Sequence, residues 1–245
     1  MSDHPGISGT PAAAANHCNL ADKVAWLRGR LGAGDEAIET HFAWVFLAGD
    51  RAWKLRKPVR RDPMDYGTLD ARHRGSEAEV RLNRRLAPNI YLGIQPLTRT
   101  ADGRFAIGGD GAVVDWLVEM RRLDRHRMLD DMLASGRATA HELDRVVVML
   151  TDFYLHERPA VTDGAALAAR LRSQVDANSG VIATLDGADA TKLRDAQLAF
   201  IEDHGGWLDA RASGGCIVEA HGDLRPEHIL LDEPPAVIDC LEFDR

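Results

Sequence analysis

The 245-residue chain reads as an α+β protein, with a β-sheet of about five strands in its first half packed on a helical second half. Three observations predict this. Short β-rich runs with a period of two recur between residues 37 and 120, where turn-forming glycines separate them. Helix-length runs take over from 126 to 212. A final block, 217–239, holds two apolar runs around a Pro-rich turn, with Asp223 before the first and Asp239 at the end of the second. Antiparallel pairing of those runs brings Asp223, His228 and Asp239 to one side of a hairpin.

Composition narrows the class. The length suffices for one large or two small domains with a real core. No apolar run approaches the ~18 residues that span a bilayer, and the N-terminus lacks the basic-then-apolar order of a secretory signal. The net charge of −8 argues against a nucleic-acid binder that works by phosphate neutralisation. Three cysteines, Cys18, Cys216 and Cys240, lack metal-ligand spacing and are expected to stay reduced, as in a cytoplasmic protein.

The elements follow in order. Residues 1–18 are rich in Gly, Pro, Ser and Ala without periodicity and read as a disordered tail. Asn19 caps a helix over 20–31, whose Leu20, Val24, Leu27 and Leu31 form an apolar stripe for the core. The runs AIETHF, WVFLA and RAWKLRK read as strands, with Gly49-Asp50 turning between the last two. In the third, Trp53 and Leu55 share one face, while Ala52, Lys54 and Arg56 share the other. Thr68 opens a helix that Pro88 stops, and it places Glu79, Leu82, Asn83 and Leu86 on one face. Glu79 therefore looks inward. A buried glutamate needs a partner, and Lys54 is the obvious one. Strands are expected over 90–97 and 113–120, then helices over 126–133, 140–157, 165–182 and 190–212. Neither repeats nor long linkers appear.

The stretch His221-Gly-Asp-Leu-Arg-Pro-Glu-His228-Ile-Leu-Leu resembles the catalytic loop of the protein-kinase-like superfamily, H-x-D-L-x-x-x-N followed by apolar residues and a metal-binding Asp. Gly222 moves the likeness toward the aminoglycoside phosphotransferase branch. Within it, THFAWVFLAGDRAWKLRKPV, RLNRRLAPNIYL and IDCLEFD are similar to a bacterial group of uncharacterised members, some fused to a P-loop kinase domain. The likeness covers about residues 20–245, and no G-x-x-x-x-G-K-[ST] occurs among them.

The resemblance implies a two-lobed kinase-like fold, with a leading helix and nucleotide-binding lobe over 19–119 and a helical lobe over 120–245 that carries the catalytic hairpin. It implies ATP and Mg²⁺ as cofactors and a small hydroxylated molecule as acceptor, with no nucleic acid or membrane partner. Ala52 would lie against the adenine, and Lys54 would hold the α and β phosphates. Glu119 and Met120 would form the interlobe hinge and offer backbone groups to the adenine edge. No glycine-rich loop stands at Thr40-His41-Phe42-Ala43-Trp44, so phosphate cover falls to Thr40, His41 or backbone amides.

Phosphoryl transfer asks the protein for positioning and charge more than for covalent chemistry. Asp223 is the candidate base or orienter of the attacking hydroxyl. Asp239 is the candidate Mg²⁺ ligand, since hard cations take carboxylate oxygen. Arg225 stands where protein kinases carry a lysine that touches the γ-phosphate; the alternative is a salt bridge with Glu227 or Glu242. His221 is expected to order the loop. His228 replaces the usual metal-binding asparagine, and an imidazole ligand would favour Mn²⁺ over Mg²⁺.

Two rival classes stand beside the kinase. A metal-dependent hydrolase would gather His221, Asp223, His228 and Asp239 around zinc or manganese, without the usual H-E-x-x-H spacing. A pseudokinase would hold nucleotide without turnover. The resembling proteins continue for several helices past the metal-binding Asp, so the helical lobe is expected to be incomplete at Arg245, to be finished by a missing C-terminal segment or by a partner.

Overall fold

A computed structural model describes residues 19–32, 37–61, 64–160, 163–185 and 189–241. The expected tail over 1–18 lies outside them. Two compact units divide the chain: Met1–Thr139 with Gly222–Arg245, and Ala140–His221. The hairpin after Gly222 packs into the core of the first unit, beside the sheet.

The first unit is built on an antiparallel sheet of six strands: β1 (Ala37–Glu39), β2 (Ala43–Ala48), β3 (Arg51–Arg56), β6 (Tyr91–Arg99), β7 (Phe105–Ile107) and β8 (Ala112–Arg121). Their order is β1-β2-β3-β8-β6-β7. The expected sheet of about five strands thus has six, all antiparallel. The added strand, β7, has three residues between two glycine turns, too few to show a period of two. Another small ribbon, β4 (Arg60–Arg61) with β5 (Met64–Asp65), also carried no periodic signal.

Helix α1 (Leu20–Leu31) starts where Asn19 Oδ1 accepts the Asp22 N–H at 2.8 Å and ends at Gly32, whose φ of 64° is a left-handed cap. Its Val24 and Leu27 pack with Phe46, Leu55, Leu97 and Leu117 on one face of the sheet. Charge ties the same elements together. Asp115 is buried and takes Lys23 Nζ on one oxygen and Arg72 Nε on the other, each at 2.7 Å.

Helix α2 (Leu69–Asn83) lies across the opposite face and is capped by Thr68 Oγ1, which accepts the Ala71 N–H at 3.1 Å. Its Val80 shares a core with Ile90, Tyr91, Val118, Leu230 and Ala236. The last two belong to the expected hairpin, β9 (Ile229–Leu230) against β10 (Ala236–Val237), paired antiparallel. The helix expected over 126–133 breaks at Met128, whose extended φ/ψ of −73°/140° serves a bridge to Leu230. A 3-10 turn over Arg125–Arg127 precedes it, and α3 (Leu129–Ala134) follows. Tertiary pairing thus overrides local helix propensity there.

The second unit holds α4 (Ala140–His156), α5 (Gly164–Ile182), α6 (Ala190–Asp203) and α7 (Gly205–Ser213). Leu167 and Ala168 of α5 meet Ile201 of α6 and Leu208 of α7. The single helix expected over 190–212 is two, divided at His204 just before the Gly205-Gly206 pair. Among the described residues, no helix is long and apolar enough to cross a membrane.

Candidate active site

The site is assembled within the first unit. As the period of two predicts, Trp53 and Leu55 join the α1 core, while Ala52, Lys54 and Arg56 line a cavity of about 810 Å³ on the other face. Lys54 Nζ sits between two carboxylates, at 2.7 Å from Glu79 Oε1 and 3.0 Å from Asp239 Oδ1. The inward rotation read for Glu79 is therefore the observed one. Its side chain is 1% exposed, and the partner is Lys54.

Arg56 supplies what the sequence reading did not foresee. Its NH2 donates to Glu79 Oε2 at 2.5 Å and to the Gly75 carbonyl at 3.1 Å, and its guanidinium lies 4.6 Å from the Tyr66 ring centre. Two cations thus hold one buried carboxylate, which offsets the desolvation that one partner alone would leave. The signal was present in the alternation of β3, since Arg56 falls on the face of Lys54.

Electrostatics follow from these contacts. Burial opposes the Lys54 charge, but Glu79 and Asp239 overcome it and hold the ammonium pKa well above its ordinary value. The Lys54 charge in turn lowers the Asp239 carboxyl to about 2. Burial, helped by Glu79, pushes the Tyr91 phenol well up, so it stays protonated.

The backbone at Asp239 is held from two sides. It is non-glycine with a φ of 63°, a left-handed conformation that needs outside support. Asp239 N–H donates to Tyr91 Oη at 3.2 Å, and Cys240 N–H donates to Asn83 Oδ1 at 2.9 Å. Asn83 Nδ2 also donates to the Glu79 carbonyl at 2.9 Å, so one buried amide links the turn carrying Glu79 to the loop carrying Asp239. Asn83 was placed on the inward face, but neither it nor Tyr91 was read as a support of the site.

The hairpin register extends from β9 and β10 through Ile238 N–H, which donates to the His228 carbonyl at 2.9 Å. His228 Nε2 then stands 3.8 Å from Asp239 Oδ2, and Asp223 lines the same cavity. The expected convergence of Asp223, His228 and Asp239 is present. Arg225 Nε lies 3.2 Å from Asp223 Oδ2, and its NH1 lies 3.0 Å from Glu227 Oε1. The salt bridge with Glu227 therefore exists; Glu242 lies outside the described residues. His221 is buried.

The residues expected at the hinge, Glu119 and Met120, lie within a strand. Strand β8 lies between β3 and β6, so Glu119 pairs with Trp53 and Gly93, and Met120 with Ala52 and Tyr91. Backbone groups there belong to the ladders. The Glu119 side chain turns to Arg51 and Gln95, each at 3.3 Å, on the face away from the cavity. Met120 and Leu123 line the cavity, and Arg121 N–H is spent on the Ile90 carbonyl. Thr40 and His41 stand at the cavity wall as expected, although the Thr40 hydroxyl is engaged by Ala43.

The donor set bears on metal chemistry. Among the described residues, no group of three or more His, Cys, Asp or Glu side chains gathers to hold an ion. A zinc hydrolase site calls for three protein ligands. One half-exposed carboxylate facing a cavity suits an ion that takes one or two carboxylates and completes its shell with phosphate oxygen and water.

No protein-family model matches the chain. It is 32% identical over 213 residues to an uncharacterised protein of Mycobacterium tuberculosis, Rv2004c, and equally to its counterparts MT2060 of the same species and Mb2027c of Mycobacterium bovis. The matched region is 84% of this chain and 41% of each relative, so the chain spans well under half the length of these relatives.

Proposed function

We propose that the chain is an ATP-dependent phosphotransferase of the aminoglycoside phosphotransferase-like kind, with a two-lobed protein-kinase-like fold, acting in the cytoplasm on a small hydroxylated molecule. The observation that carries this is Lys54 held between Glu79 and Asp239 in a cavity that Asp223 also lines. A lysine fixed by a buried glutamate is a preorganised hydrogen-bond donor to phosphate, and it costs no reorganisation when charge arrives.

Each residue then has a role. Ile38, Val45, Ala52, Met120, Leu123 and Ile238 offer the apolar walls that a purine ring needs. Lys54 binds the α and β phosphates, and Glu79, steadied by Arg56, keeps it aimed. Asp239 and the phosphates would hold Mg²⁺, which supplies neutralisation of the charge on the transferred group. Asp223 accepts the proton of the acceptor hydroxyl while that hydroxyl's oxygen bonds to the γ-phosphorus. The bond from that phosphorus to the β–γ bridging oxygen breaks, ADP leaves, and Asp223 returns its proton to water.

The test is a thermal-shift titration with ATP and magnesium. Wild type should be stabilised, since a ligand that binds only the native state raises the unfolding temperature. Lys54→Ala should abolish the shift while leaving the fold, because Arg56 still neutralises Glu79. A wild type that shows no shift would rule the proposal out.

A further inference from the structure

The position at which the kinase-like pattern has a metal-binding asparagine is filled by His228, and the geometry around it points away from metal ligation. His228 Nδ1 is 2.7 Å from the backbone oxygen of Asp223, and a carbonyl only accepts, so Nδ1 carries the proton. The lone pair is then on Nε2, and Arg225 NH2 stands 3.2 Å from it as donor. Arg225 Nε points to the Asp223 carboxylate and NH1 to Glu227. Each guanidinium nitrogen thus has one protein partner, which leaves a second N–H on NH1 and on NH2, and the imidazole, 7% exposed, is the firm member that sets their orientation.

We infer that Arg225 is the second cation of this site, with His228 as its positioning residue, so that one divalent ion rather than two accompanies each bound nucleotide. The inference rests on the phosphotransferase reading and refines it. Asp239 Oδ2 is 3.8 Å from His228 Nε2, a spacing that two ligands of one ion also show, so what keeps the imidazole from a metal is the Arg225 NH2 donor on its Nε2 lone pair. Lys54 and Arg225 both line the cavity that would take the polyphosphate. A guanidinium is permanently charged and can donate two parallel hydrogen bonds to phosphate oxygens, a fixed substitute for a mobile second ion. This also resolves the Mn²⁺ preference expected from a nitrogen ligand: with Nε2 committed to Arg225, no such preference arises.

The experiment counts ions. Mn²⁺ is titrated into the protein saturated with the β,γ-imido analogue of ATP, with bound metal read by electron paramagnetic resonance and analogue affinity by calorimetry. Wild type should take up one Mn²⁺ per analogue. Arg225→Ala, a surface substitution, should weaken the analogue about tenfold, the loss expected for a charge-assisted hydrogen bond. His228→Ala should weaken it to a similar degree, and the double variant should be no weaker than Arg225→Ala alone, because positioning has no value once the positioned group is gone. Two Mn²⁺ per analogue in wild type, or additive losses in the double variant, would overturn this inference and leave the phosphotransferase reading standing. Failure of the analogue to bind at all would overturn both.

Discussion

Asn83 Oδ1 accepts the N–H of Cys240 at 2.9 Å, although 157 positions separate the two residues. Through this bond and its donation to the Glu79 carbonyl, the helix that fixes Lys54 and the loop that presents Asp239 become one mechanical piece. Asn83→Ala strands a buried backbone donor, and that should cost about 1–3 kcal/mol in denaturant unfolding. Asn83→Asp keeps an acceptor for Cys240 and loses the donor to Glu79, so it should retain part of that stability. Equal stability of wild type and Asn83→Ala would show that the link carries nothing.

The pH behaviour of Asp239 has a definite sign. Its folded pKa, about 2, lies below the ~3.9 of an unperturbed aspartate. Its ionised form therefore stabilises the fold fully above the unfolded value, and that contribution fades as pH falls through about 2. Lys54 is the main cause, so in Lys54→Met the carboxyl should titrate near the ordinary range. A carboxyl-carbon NMR titration reads this directly. An unchanged midpoint in the variant would assign the depression to another cause.

The sheet unit contains a second charge cluster that cannot be read as an active site. Asp115 is buried between Lys23 and Arg72, away from the cavity. Asp115→Asn leaves two buried cations facing a neutral amide and should cost about 3–5 kcal/mol. Unfolding of this variant should shift strongly without any change in nucleotide contacts.

These residues also mark how far the sequence could be read. Alternation in β3 and helical spacing in α2 suffice to bring Lys54 and Glu79 together, because both elements bury one face and the buried carboxylate demands a cation. The hairpin was legible for a similar reason: two apolar runs around a Pro-rich turn have one economical pairing. Arg56, Asn83, Tyr91 and the Lys23–Asp115–Arg72 cluster were not read, since each depends on which polar group meets which across elements distant in sequence. The signs they leave are indirect. Asp115 shares a strand face with buried Leu117, and Arg56 shares one with Ala52, so each was a charge at an inward position without a named partner. Glu119 is a different case: its strand is central, and its backbone pairs with β3 on one side and β6 on the other.

Gly164 reports on the helical unit alone. A Cβ added there would stand 1.5 Å from Asp209 Oδ1 and 2.6 Å from Asp209 Cα, so the close approach of α5 and α7 requires glycine. Gly164→Ala should destabilise this unit by at least ~1–3 kcal/mol, the usual cost of overpacking. Hydrogen exchange should rise in α5 and α7. Unaltered exchange there would mean that the two helices part without penalty.

The proposed acid–base role makes the sharpest demand on Asp223. Asp223 lines the cavity and its carboxylate contacts Arg225, and in the proposed role it faces the acceptor, so removing its charge should disturb the acceptor more than the nucleotide. Asp223→Asn keeps size and polarity while it loses the capacity to take a proton. ATP affinity should stay within a few-fold of wild type, and any phosphotransfer or ATPase rate should fall by about 10² or more, on the order of a positioned acid–base group. A parallel fall in affinity and rate would place Asp223 in nucleotide binding instead. Loss of activity on adding a zinc chelator, with Asp223→Asn still active, would shift the assignment to a metal-dependent hydrolase. The two outcomes are separable because the substitution changes a proton acceptor, whereas the chelator removes an ion and leaves every side chain in place.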